Sequence, residues 1–127
     1  MTTIRAAAAD VLRLQDINTL AVVFAERPDG GGERLELQRA LSFDEQDREL
    51  GLDTYCLCVS SGTAHYGGIA SWSLDERGLA IQLFAEAARE LGLDEEVRVE
   101  VQLEPSLRAR LLNGLHEVLA EVSPKEP

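Results

Sequence analysis

The stretch LQRALSFDEQDRELGLDTYCLCVSSGTAHYGGI, residues 37–69, decides most of the predicted fold. It contains the signals of a short acidic helix, an apolar strand with two cysteines, and a returning strand that ends at two glycines. Ser42 and Glu45 have the spacing of a capping box, in which the serine caps a backbone N–H and the glutamate reaches back. The helix is predicted to run to about residue 50, where Gly51 supplies the left-handed residue that commonly follows a helix.

The predicted acidic helix has two apolar anchors and a charged outer surface. Phe43 and Leu50 lie seven positions apart and are expected to hold the helix against the core. Asp44 and Glu45 fall in the first turn, where the helix dipole favours negative charge, so the carboxylates have a structural explanation without any function. The side chains expected to face largely outward are those of Asp44, Glu45, Asp47 and Glu49.

Residues 54–59 predict a strand with alternating faces, Tyr55 and Leu57 on one side and Cys56 and Cys58 on the other. Two cysteines at this spacing would strain a disulfide and do not form a zinc motif, so we expect reduced thiols that act as small apolar side chains. Reduced cysteines favour the cytoplasm as the compartment.

After a turn, residues 63–66 are predicted to return as a strand, and Gly67 and Gly68 permit a bulge or sharp bend. Tyr66 and Trp72 next to this bend have two interpretations. Both could fill the core, which is the interpretation that structure alone favours. Alternatively, Tyr66 could lie on a binding face, because tyrosine is a favoured anchor at protein interfaces.

Further hairpins flank this stretch on both sides. Residues 20–25 and 34–39 predict one hairpin around a glycine-rich loop, and residues 69–74 and 79–83 predict another, with Ala70, Trp72 and Leu74 on one face. Two helices and a strand follow: a short helix at 85–91 that Gly92 stops, a regularly alternating strand at 96–103, and an amphipathic helix from Pro105 to about residue 122. Residues 2–13 fit a helical stripe and also a first strand near 3–9.

The order of these elements predicts an α+β protein of one domain over residues 1–127, with a frayed tail at 122–127. We expect a predominantly antiparallel sheet of about seven strands in hairpins, estimated from the apolar alternation. Two short helices accompany it, and the C-terminal amphipathic helix packs on the sheet.

Composition restricts the classes of partner. The chain carries 12 Lys+Arg against 23 Asp+Glu, a net charge of −11. Such a surface repels nucleic acid and anionic membranes and favours a basic protein or a cationic ligand, although solubility alone also explains it. No apolar run is long enough for a transmembrane helix, and the N-terminal residues lack the features of a signal peptide.

No pattern indicates catalysis or cofactor binding, so we predict no catalytic, cofactor-binding or metal-ligating residues. His65 and His116 have no metal-ligand spacing around them and are expected near the surface. Ser60, Ser61 and Ser71 lack a nucleophile elbow or a neighbouring base. Three alternatives stay open: a small-ligand-binding domain, an enzyme that brings carboxylates or His65 together in a cleft, and a structural domain that dimerises through exposed strand edges.

Five short motifs resemble immunity protein family ten of bacterial polymorphic toxin systems: LQRAL at 37–41, DEQD at 44–47, LGLDTYC at 50–56, YGGI at 66–69 and LG at 91–92. The resemblance implies a β-rich cytoplasmic protein, without a cofactor or enzymatic activity, that binds and neutralises a cognate toxin domain, and it favours a strand at 3–9. For the acidic surface we expect a basic toxin, with a nuclease as the specific case, and a homodimer is also compatible. The residues we expect to contribute to the contact surface are Asp44, Glu45, Asp47, Glu49, Asp53 and Tyr66.

Overall fold

The computed structural model describes residues 1–125 and confirms the α+β class, the antiparallel hairpins and the C-terminal helix. Nine strands are present in these residues, where the sequence predicted about seven. The strands are β1 (Thr2–Arg5), β2 (Ala8–Leu14), β3 (Thr19–Ala25), β4 (Arg34–Ala40), β5 (Cys56–Val59), β6 (Ala64–Tyr66), β7 (Ile69–Asp75), β8 (Gly78–Leu83) and β9 (Glu96–Glu100). The helices are α1 (Glu45–Glu49), α2 (Ala85–Leu91) and α3 (Pro105–Val118), and a 3₁₀ turn spans Gln15–Ile17.

The strands divide between two sheets. Sheet A has the order β1-β9-β8-β7, and sheet B has the order β2-β3-β4-β5-β6. Every pairing is antiparallel except that of β1 with β9, which is parallel. The predicted hairpins are therefore present, while the one parallel pairing among these strands joins the first strand to the last.

The N-terminal residues form strands, as the family resemblance favoured, but two strands in different sheets instead of one. The chain crosses from sheet A to sheet B at Ala6 and Ala7. The Ala6 N–H donates to the carbonyl of Glu100 in sheet A at 2.8 Å, and the Ala7 N–H donates to Ala25 in sheet B at 2.9 Å. Backbone groups at the crossing are thus hydrogen-bonded to both sheets.

A second crossing, at Gly67 and Gly68, connects the other edges of the two sheets. The Gly67 N–H donates to the Tyr55 carbonyl at 2.9 Å, and the Gly68 carbonyl accepts the N–H of Phe84 at 2.9 Å. Gly68 has φ 99°, and a Cβ atom there would lie 2.5 Å from that of Ala87. This confirms the predicted bend and explains why glycine occupies it.

The core lies between the inner faces of the two sheets and the buried side of α3. Trp72 is 1% exposed, and its indole N–H donates to the Val122 carbonyl at 3.0 Å. The sequence predicted Ala70 on the same face as Trp72, and this prediction is wrong. A bulge between Ile69 and Ser71 shifts the alternation of inward and outward side chains along β7, so Ala70 is exposed. Other large buried side chains are Leu20, Val22, Phe24, Leu35, Leu37, Leu57, Leu79, Ile81 and Leu83.

Helix α3 packs on sheet B and ends earlier than predicted. It stops at Val118, with Leu119 as its C-cap residue, instead of continuing to residue 122. Gly114 lies against Val11 and Val22, whose methyl groups would be 2.8 Å and 3.2 Å from an added Cβ. The backbones of helix and sheet therefore approach closely at this glycine.

Residues 122–125, predicted as part of a frayed tail, run beside β7. Trp72 and Pro124 form a parallel bridge, and the Lys125 N–H donates to the Trp72 carbonyl at 2.6 Å. Residues 126 and 127 lie outside the described part of the chain.

Candidate interaction surface

The outer face of sheet B, the side turned away from the core, combines small apolar side chains with an aromatic one. Strand register sets this composition, because β5 presents Cys56 and Cys58 beside Gln38 and Glu36 of β4 and Tyr66 and Ala64 of β6. Leu12 of β2 and Tyr66 of β6 are 39% and 49% exposed. The smaller apolar residues of this outer face are Ala8, Ala21, Val23, Ala25 and Ala64.

Helix α1 borders this face, and its first turn differs from the prediction. The N-cap is Asp44, whose carboxylate accepts the Asp47 N–H at 2.7 Å, and Asp47 in turn accepts the Asp44 N–H at 3.1 Å. The predicted box of Ser42 and Glu45 was therefore displaced by two residues. Ser42 is engaged elsewhere, since its N–H and hydroxyl donate to the side-chain oxygen of Asn18 at 3.1 Å and 3.2 Å.

The end of α1 confirms one prediction and corrects another. Gly51 has φ 71°, as expected for the residue that follows the C-cap. Leu50 is 63% exposed and does not anchor the helix in the core. Phe43 is half-buried, with the guanidinium of Arg39 5.1 Å above the centre of its ring. A five-residue helix with no buried residue is positioned by its capping box and by Phe43.

The structure brings together two of the residues predicted to bind a partner. Asp47 and Tyr66 line the same cleft, between α1 and the outer face of sheet B. The remaining four carboxylates, at Asp44, Glu45, Glu49 and Asp53, are exposed around α1. Within residues 1–125, no ion pair involves any of the five predicted carboxylates.

This cleft, which we call the α1 cleft, has a volume of about 260 Å³. Its lining is mainly polar and includes Asn18, Gln38, Asp47, Thr54, Cys56 and Tyr66. Burial raises the pKa of Tyr66, and Cys56, Cys58 and Asp47 add to the effect, so the phenol stays neutral at physiological pH. The α1 cleft thus combines a carboxylate, a neutral aromatic ring and several hydrogen-bonding groups.

Arg39 also lines the α1 cleft, but its positive charge is already compensated. It forms an ion pair with Glu121 and donates to the Val118 carbonyl at 3.3 Å, both near the end of α3. Burial raises the pKa of Glu121, but hydrogen bonds from Arg39 and Thr54 outweigh it and hold the pKa below its ordinary value. Glu121 is therefore ionised at neutral pH and holds Arg39 towards α3.

The two cysteines are free thiols on the outer face, as predicted. Their Sγ atoms lie 3.9 Å apart, which is contact between thiols and not a disulfide. Burial, with Cys58 as the second cause, raises the pKa of the Cys56 thiol to about 12. Cys56 therefore stays protonated and behaves as a small apolar side chain.

Strand register separates the groups from which a cysteine hydrolase would be built. His65 pairs with Leu57 and faces the inner side, whereas the flanking Cys56 and Cys58 face the outer side. The Nδ1 atom of the His65 ring contacts the Glu90 carboxylate of α2. The His116 ring packs edge-on against Trp72, with ring centres 5.1 Å apart. Neither histidine of the sequence is placed to activate either thiol as a nucleophile.

No three side chains of His, Cys, Asp or Glu come together as a metal site within residues 1–125. None of the helices in this part of the chain combines the length and the apolar character needed to cross a bilayer.

Comparison with known proteins decides the family. The family model described as Immunity protein 10 matches residues 3–109, which is most of the chain. The chain belongs to this family. The match includes both sheets, α1, α2 and the first turn of α3, so it contains the outer face of sheet B and the α1 cleft. No curated protein and no solved structure matches the chain.

Sequence reasoning found the acidic segment and Tyr66 but missed other residues of this surface. Leu12, which is exposed beside Ala21 on the outer face, lies in the segment 2–13 that also fits a helical stripe. Ile17 and Gln38, which line the α1 cleft, were not singled out. The pairing of Gln38 with Cys56, which the sequence does not give, shows which side chains surround Gln38.

Proposed function

We propose that the chain is an immunity protein that neutralises a cognate toxin domain by direct protein–protein contact in the bacterial cytoplasm. Membership of the Immunity protein 10 family carries this proposal. The toxin in this proposal is a basic protein, with a nuclease as the specific case. The chain takes no cofactor and catalyses no reaction in this role.

The distribution of charge supports a basic partner. The net charge is −11, and the segment 44–53 has five carboxylates against one arginine, Arg48. These carboxylates are exposed or half-buried, and no ion pair within residues 1–125 neutralises them. Complementary charge would steer the encounter and raise the association rate more than the affinity.

Isothermal titration calorimetry tests this function. The partner is the catalytically inactivated C-terminal domain of the toxin that the neighbouring gene encodes. We expect one-to-one binding with a Kd of about 1 nM or lower, equivalent to about −12 kcal/mol. The titration is repeated at about 0.1 M and about 1 M salt, where the Debye length falls from about 10 Å to about 3 Å, and binding should weaken at the higher salt concentration. Absence of binding to the folded toxin domain would contradict the proposed function.

A growth assay tests neutralisation separately from binding. Co-expression of the chain with the active toxin domain should restore growth of a sensitive bacterium. An unrelated acidic protein of similar size serves as the control, because it would reproduce any non-specific effect of charge. Growth arrest despite tight binding would show that the chain binds the toxin without neutralising it.

A further inference from the structure

The α1 cleft has the size of a pocket for one side chain of a partner. Its volume of about 260 Å³ is below the roughly 300–1,000 Å³ of sites that enclose drug-sized ligands. It opens on the outer face of sheet B beside half-exposed Tyr66 and exposed Ala64. A protein docked on this face could insert one side chain into the α1 cleft while its neighbouring residues cover Tyr66 and Ala64.

The groups in the α1 cleft select a cationic side chain. Within residues 1–125, the Asp47 carboxylate accepts one hydrogen bond, from the Asp44 N–H to Oδ2. A carboxylate has about four acceptor positions on two oxygens, so Asp47 has capacity for a charged donor. Arg39 does not neutralise it, because Arg39 is paired with Glu121 and held against Phe43.

The aromatic ring of Tyr66 favours a guanidinium over an ammonium. Arginine has a planar fork of donors that matches a carboxylate, and it stacks on aromatic faces, whereas lysine is a strongly hydrated point charge. Gln38 and Thr54 supply further polar atoms in the lining. Tyrosine and arginine are also among the residues that dominate binding energy at interfaces.

We propose that the α1 cleft is an anchor pocket for a single arginine of the toxin, with Asp47 as its ion-pair partner and Tyr66 stacking on its guanidinium. This inference rests on the proposed function and specifies how the partner is recognised. Charge complementarity between the acidic segment 44–53 and a basic protein supports the choice of occupant.

Two variants of the α1 cleft test the proposal by titration calorimetry with the inactivated toxin domain. Asp47→Asn removes the charge and keeps an oxygen that can accept the Asp44 N–H, so α1 stays capped. Tyr66→Ala removes the ring from a half-exposed position on an edge strand, and Tyr66→Phe keeps it. We expect Asp47→Asn and Tyr66→Ala each to weaken binding about 30-fold and Tyr66→Phe to change it less than about threefold.

The chain offers matched controls on another surface. Phe84→Ala removes an aromatic ring that is 60% exposed at the start of α2, and Glu86→Gln removes one exposed carboxylate in the first turn of that helix. Both should leave the Kd within about twofold of the wild-type value. Circular dichroism and thermal melts of all variants verify that each one is folded.

A double-mutant cycle identifies the occupant. Each arginine of the toxin domain is replaced by alanine, and one of them should couple to both Asp47 and Tyr66, with an interaction corresponding to about tenfold in Kd. Coupling to a lysine alone would overturn the assignment to arginine. Coupling of the same arginine to Glu86 would place the contact outside the α1 cleft and would also overturn it.

The remaining outcomes separate this inference from the proposed function. If the wild-type chain binds the toxin and the α1 cleft variants bind as tightly as the controls, the anchor pocket is wrong and the proposed function stands. If the wild-type chain does not bind, both fail. Sedimentation of the free chain gives a third outcome. If the wild-type chain is a dimer and Tyr66→Ala is a monomer, a second copy occupies this face, and the assignment of the α1 cleft to the toxin is overturned.

Discussion

The outer faces of the two sheets differ in how their polar groups are used. On sheet A, Arg98 holds both carboxylate oxygens of Asp75 at 2.9 Å, and Arg5 pairs with Glu100 at 3.5 Å. On sheet B, Arg34 pairs with Glu36 on the central strand β4, and alanines, Val23 and the two cysteines lie on the strands that flank it. Both faces carry paired charges, but only sheet B is bordered by carboxylates, those around α1, that no ion pair within residues 1–125 neutralises.

This difference indicates which face is suited to binding a protein. A face whose charges are already paired gains little from a charged partner, because new ion pairs would replace existing ones. On sheet B, a partner can cover the exposed side chains of Leu12, Ala64 and Tyr66 while its basic groups meet the carboxylates around α1, which have no ion pair within residues 1–125. An exposed tyrosine beside charged groups is a common feature of protein interfaces.

The largest expected effect concerns the turns that close the hairpins of the two sheets. Gly78 in sheet A has φ 139°, and a Cβ atom there would lie 1.9 Å from the Val99 carbonyl oxygen. Gly62 in sheet B has φ 90°, and a Cβ atom there would meet open space. We expect Gly78→Ala to lower the free energy of unfolding by about 3 kcal/mol or more and Gly62→Ala by about 1 kcal/mol. Urea denaturation with unchanged m-values measures both, and equal losses would contradict the difference in packing.

A charge placed on each outer face tests which one binds the toxin. Ala64→Arg puts a cation at an exposed position of sheet B, and Ser73→Arg is the matched change at a half-buried outward position of sheet A. We expect Ala64→Arg to weaken toxin binding about 100-fold, equivalent to about 2.7 kcal/mol, through steric conflict and repulsion of a basic partner. Ser73→Arg should leave the Kd unchanged, and the reverse pattern would assign binding to sheet A.

The two thiols provide a chemical footprint of the same face. Cys56 stays protonated with a pKa of about 12, so iodoacetamide at neutral pH should react at half-buried Cys58. Bound toxin should slow this alkylation about tenfold by covering the outer face of sheet B. Cys58→Ser is the control and should remove the signal, since these are the only two cysteines in the sequence. Alkylation at the same rate in the complex would place the toxin elsewhere.

The smallest expected effect concerns the paired charges on sheet A. Desolvation raises the pKa of Asp75, but hydrogen bonds from Arg98, Arg77 and Gly78 outweigh it and hold the pKa below its ordinary value. The ionised carboxylate therefore stabilises the fold above the unfolded-state pKa of about 3.9, and this contribution is lost as the pH falls through the lower folded-state pKa.

Asp75→Asn should lower the free energy of unfolding at pH 7 by less than about 1 kcal/mol, because the side chain is partly exposed and solvent screens the pair. The difference from wild type should disappear as the pH falls below about 4. Asp53→Asn, next to α1 on the side of sheet B, is the control and should not change stability measurably at either pH. A loss that persists at acid pH would show that the Asp75 charge is not its cause.

Local patterns predicted the parts of the fold that depend on neighbours in sequence. Alternation located β4, β8 and β9, Gly92 marked the end of α2, and Gly51 marked the end of α1. These predictions succeeded because a strand or a helix end is specified within a few residues by side-chain period and backbone conformation. The capping box failed because Ser42 and Asp44 both suit an N-cap, and the distant Asn18 engages Ser42.

The sequence by itself determined the α+β class, the hairpins and the acidic segment, since each is encoded in short-range pattern and composition. The tertiary structure decided that residues 2–14 belong to two sheets, because the parallel pairing of β1 with β9 joins positions almost a hundred residues apart. It also decided that Asp47, among five carboxylates, shares a cleft with Tyr66. Register and packing bring such groups together, and neither is set by the residues next to them in the chain.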